Sequence, residues 1–217
     1  SKSMQIYLIS PPKETSSFNA DTFDKITDII PIEYFQFRPK FSSLKERISF
    51  VKKYYLSFSK ICEKKKIKLI INDDFEIAEK FFFNGIHLGQ EDKSCKAAKK
   101  KFGNNFIVGV SCSNSFNLYK KAKKEGADYI AFGPSFKTTT KNKEAIDLDS
   151  IKIFFKEIKL PFILIGGINH KNIKNLFEFK PNYVAIIDSL WNFKYGPVES
   201  ANQFKKILKG KNYENDS

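Results

Sequence analysis

Short apolar runs alternate with longer amphipathic segments along most of the chain. The apolar runs predict strands at residues 5–9, 34–37, 68–71, 85–88, 107–111, 129–132, 162–165 and 183–187. The segments between them predict helices at residues 22–30, 44–64, 75–82, 93–102, 116–125, 148–158, 171–179 and 199–208. Strands this short, apolar on both faces and separated by helices, are typical of a parallel sheet that helices cover.

The repetition of the strand–helix unit predicts the fold class. Eight such units in about 200 residues predict an α/β protein of the (β/α)8 TIM-barrel type, with a doubly wound open sheet as the alternative. Because no linker rich in glycine, serine or proline divides the sequence, we expect a single domain over residues 1–217. Its ordered core is expected at about residues 4–209, and the polar tail at residues 210–217 is expected to fray.

The composition is that of a globular protein, with 41% hydrophobic and 29% charged residues. The formal net charge is +14, but the basic residues are spread over nearly every predicted helix. Only two of them, Arg38 and Arg47, are arginines. A charge spread in this way predicts no nucleic-acid partner, although the positive field can attract anionic substrates.

The cysteines and the hydropathy of the sequence indicate the cellular compartment of the protein. Cys62, Cys95 and Cys112 are odd in number and lack metal-ligand spacing, so we expect reduced thiols and a cytoplasmic location. No apolar stretch approaches the roughly 20 residues that cross a bilayer, so we expect no membrane partner.

Polar residues cluster at the predicted carboxyl ends of the strands, where the active sites of such barrels lie. After the second strand, Arg38 and Lys40 flank Pro39. An arginine is unusual in this lysine-rich chain, and its planar guanidinium matches two phosphate oxygens in a way that an ammonium cannot. The alternative is an ordinary surface pair between Arg38 and a carboxylate.

Acidic residues follow the third and fourth strands. Asp73 comes directly after Asn72, and Asp92 lies a few residues beyond His87. Acidic groups at neighbouring strand ends are suited to Mg²⁺, which takes one or two carboxylates together with substrate phosphate oxygens. The alternative is that Asp73 and Asp92 cap helices, since aspartate is a favoured N-cap residue.

The next strand end supplies hydroxyl groups. Ser111 can bind a phosphate, whereas Ser113 and Asn114 are expected to cap the following helix. His87 precedes a glycine and has no second histidine nearby. We therefore expect His87 to form a hydrogen bond within the barrel and not to bind zinc.

The loops after strands six and seven favour phosphate binding. The first carries Thr138, Thr140 and Lys141, whose hydroxyl and ammonium groups can surround an anion. The second contains Gly166 and Gly167, where backbone N–H groups can approach an anion at the start of a helix whose dipole favours negative charge. Phosphate sites recur at the loops after strands seven and eight of (β/α)8 barrels, which adds weight to the two glycines.

Taken together, these segments resemble the thiamine-phosphate synthase family, whose barrel superfamily also contains the thiazole tautomerases. The resemblance covers about residues 4–208, and its segments occur in the family's order and spacing. They are Gln36-Phe37-Arg38-Pro39-Lys40, Ile71-Asn72-Asp73, Gly85-Ile86-His87-Leu88-Gly89-Gln90-Glu91-Asp92, Gly109-Val110-Ser111, Gly126-Ala127-Asp128-Tyr129, Phe132-Gly133-Pro134-Ser135-Phe136, Thr138-Thr139-Thr140-Lys141 and Ile165-Gly166-Gly167-Ile168.

The resemblance implies a transferase that joins 4-amino-2-methyl-5-pyrimidinylmethyl diphosphate to a thiazole phosphate, forming thiamine phosphate and releasing diphosphate. It implies that the catalytic diphosphate contacts are Arg38, Lys40, Ser111 and Lys141. It implies further substrate contacts from Gln36, Asn72, Thr138, Thr140 and the backbone of Gly167 and Ile187. Asp73 and Asp92 would hold Mg²⁺ as the cofactor.

Two residues depart from the family's pattern. Asp188 stands where the family commonly has a serine beside the thiazole phosphate, and Pro39 stands where it has a carboxylate. A carboxylate near a phosphate lowers affinity unless it is turned away, protonated or bridged by a cation. Ser189 can replace the missing hydroxyl after a small local shift. The identity of the thiazole substrate therefore stays open.

Two other functions remain as alternatives. Thiazole tautomerases use a histidine two positions after the strand-five serine, and this chain has Ser113 there, which has no suitable pKa for proton transfer. A non-catalytic barrel that binds a phosphate ligand is the second alternative, and Asp188 keeps it open. The expected partners are small-molecule substrates, and a homodimer is compatible with a sequence that does not fix the oligomeric state.

Overall fold

The computed structural model describes residues 3–138 and 143–209, and within them eight parallel strands close into a barrel. Each strand pairs with the next along the chain, and β8 pairs with β1, where Gln5 lies opposite Tyr183. The strands are β1 Gln5–Ile9, β2 Ile32–Phe37, β3 Lys68–Asn72, β4 Gly85–Leu88, β5 Ile107–Ser111, β6 Tyr129–Phe132, β7 Phe162–Leu164 and β8 Tyr183–Ile186. The (β/α)8 TIM-barrel prediction is confirmed, and the open sheet is excluded because β1 and β8 are paired.

Helices connect the strands on the outside of the barrel. In the described part of the chain they are α1 Ala20–Ile29, α2 Leu44–Lys65, α3 Phe75–Lys80, α4 Cys95–Phe102, α5 Phe116–Lys124, α6 Leu148–Phe155, α7 Asp188–Trp191 and α8 Pro197–Leu208. The segment predicted as a helix at 171–179 is a 3₁₀ helix, Ile173–Phe179, and the short α7 was not predicted. No described helix is both long and apolar enough to span a membrane.

Local side-chain contacts explain where several helices begin. Asn19, Ser43, Ser94 and Ser115 each accept a hydrogen bond from a backbone N–H in the first turn of the next helix. This satisfies one of the free N–H groups at a helix start. The prediction that Ser113 and Asn114 cap α5 is wrong, because Ser115 takes that position.

Aromatic residues fill the layer between the strands and the helices. Phe18, before α1, packs at 5.0 Å from Trp191 and at 4.8 Å from Phe58, measured between ring centroids. Trp191 also donates its indole N–H to the carbonyl of Ile9 at 2.7 Å. Burial of each such ring stabilises the fold by about 2–3 kcal/mol. These contacts fix α7 against the loop after β1, at the rim of the barrel.

The interior of the barrel contains tyrosines where such barrels usually have aliphatic residues. Tyr7, Tyr34, Tyr129 and Tyr183 come from four strands, and their neighbouring ring centroids lie 5.4 to 6.5 Å apart. The Tyr183 hydroxyl donates a hydrogen bond to the carboxylate of Glu33 at the amino-terminal end of the strands. Buried tyrosine hydroxyls need polar partners, and two of them find these partners in the site described next.

Candidate active site

The loop after β2 is fixed to the loop after β1. Ser10, which is 1% exposed, accepts a hydrogen bond from the backbone N–H of Arg38 at 2.8 Å. The backbone N–H of Lys40 donates to the carbonyl of Pro12 at 2.9 Å. Ser10 was missed by the sequence analysis, although a small polar residue directly after an apolar strand is a recognisable signal. These bonds hold Arg38 and Lys40 at the rim.

Arg38 and Lys40 are cations whose charge is only partly compensated. Burial lowers the pKa of both side chains, and the Arg38 charge lowers the pKa of Lys40 further. The Lys40 ammonium lies 3.4 Å from a carboxylate oxygen of Asp73. Among residues 3–138 and 143–209, the Arg38 guanidinium has no hydrogen-bond partner, so a surface pair with a carboxylate does not explain it. A bound polyanion would restore the favourable interactions that burial removes.

Asp73 is held in a specific orientation at the end of β3. Its backbone lies in the left-handed region with φ 66°, which is uncommon outside glycine. Its N–H donates to the carbonyl of His87 at 2.9 Å, and the Asn72 amide donates to its carboxylate at 2.9 Å. Such unusual backbone geometry concentrates at functional sites.

Asp92 approaches the same point from the loop after β4. Its carboxylate accepts a hydrogen bond from the Gly89 N–H at 2.9 Å and lies within hydrogen-bonding distance of the Asp73 carboxyl group. Burial raises the pKa of Asp92, and the neighbouring Asp73 raises it further. Two carboxyl groups this close require a shared proton or a cation between them.

Helix capping does not account for either aspartate. The N-cap of α3 is Asp74, and the N-cap of α4 is Ser94, whose hydroxyl accepts from a backbone N–H. In the described ranges, no cluster of three or more histidine, cysteine, aspartate or glutamate side chains forms a metal site. The pair of Asp73 and Asp92 nevertheless fits Mg²⁺, which needs only one or two carboxylates when substrate phosphates and water supply its other ligands.

The second arginine has a structural role beside this pair. Arg47 on α2 binds the Asp74 carboxylate with two hydrogen bonds, of 2.8 Å from Nε and 3.0 Å from Nη2. Its Nη1 donates to the carbonyl of Phe41 at 2.9 Å. Arg47 therefore ties the loop after β2 to the loop after β3, and so supports Arg38 and Asp73 indirectly.

Polar side chains also line the interior below the rim. The His87 ring bridges the Ser111 hydroxyl, at 2.8 Å from Nε2, and the Tyr129 hydroxyl, at 3.1 Å from Nδ1. Burial lowers the pKa of His87 to about 3, and the Arg38 charge contributes to this shift, so the imidazole is neutral. This confirms the expected hydrogen bond of His87 within the barrel. The two bonds fix Ser111 in place.

Gln36, on β2, reaches the same interior. It is 2% exposed, and its amide nitrogen donates to the Tyr7 hydroxyl at 3.0 Å. Its Oε1 atom is buried and has no hydrogen-bond partner in residues 3–138 and 143–209. A buried acceptor without a donor is costly, so this atom is suited to accept a hydrogen bond from a ligand.

The loops after β6 and β7 form another part of the rim. The N–H and the hydroxyl of Ser135 both donate to the carbonyl of Ile165, at 2.7 and 2.9 Å. Gly166 has φ 98°, and a Cβ there would lie 2.5 Å from Pro134, so only glycine permits this approach. The Thr138 hydroxyl is buried and lacks a partner within the described part of the chain. Thr140 and Lys141 lie outside the described residues.

The helix after β7 differs from the prediction. Gly167 has φ 68°, as expected for a backbone that turns sharply, but the following 3₁₀ helix begins only at Ile173. The Asn172 side chain donates to the Gly167 carbonyl at 2.9 Å and occupies the turn between them. The expected helix dipole at Gly167 is therefore wrong, and only the local backbone N–H groups remain available to an anion.

The loop after β8 leads directly into α7. Ile187 precedes the helix, and Asp188 is its first residue. The exposed Asp188 carboxylate accepts a hydrogen bond at 2.5 Å from the side-chain amide of Asn192, the residue that follows α7. The Ser189 hydroxyl donates to the carbonyl of Ile168 at 2.9 Å, so it is already engaged.

The structure thus brings most of the expected residues to the carboxyl-terminal rim. Lys40, Asn72 and Asp92 each contact Asp73, and Gln36 is connected to Ser111 through Tyr7, Tyr129 and His87. Arg38 lies close enough to Lys40 for its charge to lower the pKa of that side chain. Thr138, Gly167 and Ile187 lie at the ends of β6, β7 and β8 on the same rim. This convergence is what a site for a large polyanionic substrate requires.

Comparison with known proteins gives a consistent picture. A family model described as thiamine monophosphate synthase matches residues 6–190. The chain is 40% identical over 202 residues to a thiamine-phosphate synthase of Pelagibacter ubique, covering 92% of this chain and 95% of that protein. It is 28% identical over 207 residues to a thiamine-phosphate synthase of Rhodospirillum centenum, covering 95% and 98% of the two chains. A solved thiamine phosphate pyrophosphorylase from Pyrococcus furiosus has the same fold, with a TM-score of 0.76, 22% identity and coverage of 95% and 96%.

Proposed function

The chain belongs to the thiamine monophosphate synthase family, and we propose that it joins 4-amino-2-methyl-5-pyrimidinylmethyl diphosphate to a thiazole phosphate. The products are thiamine phosphate and diphosphate. The observation that carries this proposal is the meeting of Arg38 and Lys40 with the Asp73–Asp92 pair at one rim. The positive charges of Arg38 and Lys40 are only partly neutralised by neighbouring carboxylates, and they lie next to a site suited to a divalent cation. Such an arrangement can stabilise a diphosphate leaving group.

The reaction needs little covalent chemistry from the protein. The bond between the pyrimidine methylene and the diphosphate oxygen breaks, and the electron pair leaves with diphosphate. The ring amino group stabilises the resulting cation by electron donation, and the thiazole nitrogen then forms the new carbon–nitrogen bond. Arg38, Lys40 and the Ser111 hydroxyl stabilise the charge that develops on the leaving group. Placing the two substrates together supplies the remaining rate enhancement.

Asp73 and Asp92 would hold Mg²⁺ at this end of the substrate. When bound, the ion neutralises phosphate charge and acts as a Lewis acid on the leaving diphosphate. Asn72 orients Asp73 by donating to its carboxylate at 2.9 Å, and the Gly89 N–H orients Asp92 in the same way.

The two ends of the site bind the other parts of the substrates. The unpaired Oε1 atom of Gln36 accepts a hydrogen bond from the pyrimidine amino group, with Asn72 beside the same pocket. Thr138, with its buried hydroxyl, and the backbone N–H groups of Gly167 and Ile187 bind the thiazole phosphate. On the basis of the sequence alone, Thr140 completes this phosphate site and Lys141 contacts the diphosphate. The free, buried thiols of Cys62, Cys95 and Cys112 support a cytoplasmic location.

A coupling assay tests this function. The purified protein is incubated with both substrates and Mg²⁺, and thiamine phosphate is detected by mass spectrometry. Parallel reactions omit the thiazole phosphate or contain EDTA, and neither is expected to yield product. Saturable binding of both substrates without any product would overturn the proposal and would favour a non-catalytic phosphate-binding barrel.

A further inference from the structure

A continuous hydrogen-bond chain crosses the barrel interior and joins the two ends of the pyrimidine diphosphate site. It runs from Gln36 to Tyr7 at 3.0 Å, from Tyr7 to Tyr129 at 2.5 Å, and from Tyr129 to His87 at 3.1 Å. It ends at Ser111, 2.8 Å from His87. The five side chains come from five different strands, β1, β2, β4, β5 and β6.

We propose that Tyr7 and Tyr129 are positioning residues. Through the hydrogen-bond chain they determine that Gln36 presents its Oε1 atom and that Ser111 presents its hydroxyl proton to the substrate. The inference rests on the proposed function, because it assigns the pyrimidine amino group to Gln36 and the diphosphate to Ser111. It adds residues that touch no substrate and act only through their neighbours.

The number of available protons determines in which direction the hydrogen bonds of this chain are donated. Gln36 donates through its amide nitrogen to the Tyr7 oxygen, so the single Tyr7 proton is directed to Tyr129. Tyr129 then donates to Nδ1 of His87. A neutral imidazole carries its proton on the other nitrogen, which donates to the Ser111 oxygen. The hydroxyl proton of Ser111 is therefore free to be donated to an acceptor outside these five side chains.

The substrate fits this direction and not the reverse one. The aminopyrimidine presents an N–H donor, and Gln36 offers the unpaired acceptor Oε1. The diphosphate presents acceptors, and Ser111 offers its hydroxyl proton. In the reverse direction Gln36 would present N–H groups to a donor, and the Ser111 proton would be taken up by His87. Only one polarity of the chain therefore satisfies both ends of the substrate.

Gly109 makes room for the central residue of the chain. A Cβ at Gly109 would overlap the Tyr129 ring and its hydroxyl. The Tyr129 ring also stacks on the His87 ring, with centroids 5.6 Å apart. The missing side chain on β5 thus lets the Tyr129 hydroxyl reach between Tyr7 and His87.

The direction of the chain can be measured without substrate, by NMR on protein with ¹⁵N-labelled histidine. The sequence has two histidines, and His170, which contacts Ser200, serves as an internal reference. We expect the His87 proton on Nε2 in the wild type. Tyr129→Phe should change the His87 signals and leave those of His170 unchanged. A wild-type His87 with its proton on Nδ1 would overturn the assigned direction.

Kinetics test whether the chain positions the substrate. Tyr7→Phe and Tyr129→Phe each remove one hydroxyl and keep the ring. We expect kcat/KM for the pyrimidine diphosphate to fall about tenfold, which corresponds to one hydrogen bond to a ligand. The KM for the thiazole phosphate should stay within about twofold, since that substrate binds at the other loops.

Tyr34→Phe is the matched control, because Tyr34 belongs to the same ring cluster but its hydroxyl is not in the chain. Its kinetics should stay within about twofold of the wild type, with a similar melting temperature in all three variants. If wild-type protein turns over and Tyr7→Phe and Tyr129→Phe behave like Tyr34→Phe, the positioning role is refuted and the proposed function stands. If wild-type protein forms no thiamine phosphate, both are refuted.

Discussion

Arg47 and Asp74 are joined by two hydrogen bonds of 2.8 and 3.0 Å, and this pair accounts for one of the two arginines in the chain. The other arginine, Arg38, is bound by none of the described carboxylates in this way. Two residues of the same type, close to the same site, therefore have different roles. One stabilises the loops, and the other is available to a substrate.

Replacement of Arg47 by alanine is expected to affect the stability of the fold more than the catalytic activity. It leaves the largely buried Asp74 carboxylate, whose side chain is 12% exposed, without its partner. We expect the free energy of unfolding to fall by about 2–3 kcal/mol, as for a partly buried pair that loses one member. Chemical denaturation measures this value. Arg47→Lys should recover part of the loss, because lysine keeps the charge but loses the two-pronged geometry.

Replacement of Arg38 by alanine is expected to lower catalytic activity without lowering stability. Since burial lowers the pKa of Arg38 and no described hydrogen bond holds its guanidinium, its removal relieves an unfavourable burial. We expect kcat/KM to fall at least about a hundredfold, as for loss of a charged group at a leaving group. The melting temperature should be unchanged or higher. A parallel loss of activity and melting temperature would show that Arg38 is structural.

The Asp73–Asp92 pair predicts a specific dependence on Mg²⁺. Asp92→Asn removes one carboxylate and the repulsion between the two groups. We expect the Mg²⁺ concentration for half-maximal activity to rise about tenfold or more, while the fold is retained. Titration of activity against Mg²⁺ measures this. Asp28→Asn is the control, because Asp28, on α1, makes an exposed ion pair with Lys65 and should leave the Mg²⁺ dependence unchanged.

The strand pattern explains how much of the fold could be predicted. Four of the eight strands have the predicted bounds, because short apolar runs between helices leave little freedom in their ends. The 3₁₀ form of the helix predicted at residues 171–179 and the short α7 were not predicted, and α7 depends on contacts such as that of Trp191 with Ile9. Local propensity does not encode contacts between residues this distant along the chain.

The site, too, contains residues that the sequence predicts and residues that it does not. Arg38, Asp73 and Asp92 were found because polar residues at strand ends are a local signal. No role was predicted from the sequence for the hydroxyls of Tyr7 and Tyr129, which meet across 122 residues of sequence. Which side chains face the barrel interior, and at what height, depends on the stagger of the strands around the closed sheet. No single segment contains that information.

Asp188 predicts a specificity change at the thiazole end. Its carboxylate is held by Asn192, which directly follows α7, and adds negative charge beside the loop that precedes α7. Asp188→Ser removes one like charge near a phosphate in a solvated setting, so we expect the KM for thiazole phosphate to fall about three- to tenfold. Asn192→Ala should raise it by releasing the carboxylate. An unchanged KM in Asp188→Ser would mean that the carboxylate does not face the phosphate.

His87 predicts how stability depends on pH. Its pKa is lowered to about 3, first by burial and then by the Arg38 charge, whereas an unfolded histidine has a pKa of about 6.5. Above about pH 6.5 both states hold a neutral imidazole, so the full stability is present. Below that value the unfolded state binds the extra proton, and stability is lost by up to about 1.4 kcal/mol per pH unit until the folded pKa is reached.

Denaturation of the wild type and of His87→Gln at several pH values between about 7 and 4.5 separates this effect from the titration of carboxylates. Glutamine cannot take up a proton, so its stability should fall less steeply over this interval, even if its stability at neutral pH is lower. Equal slopes for the two proteins would mean that His87 is protonated as easily in the folded state as in the unfolded state. That outcome would contradict its burial between Ser111 and Tyr129.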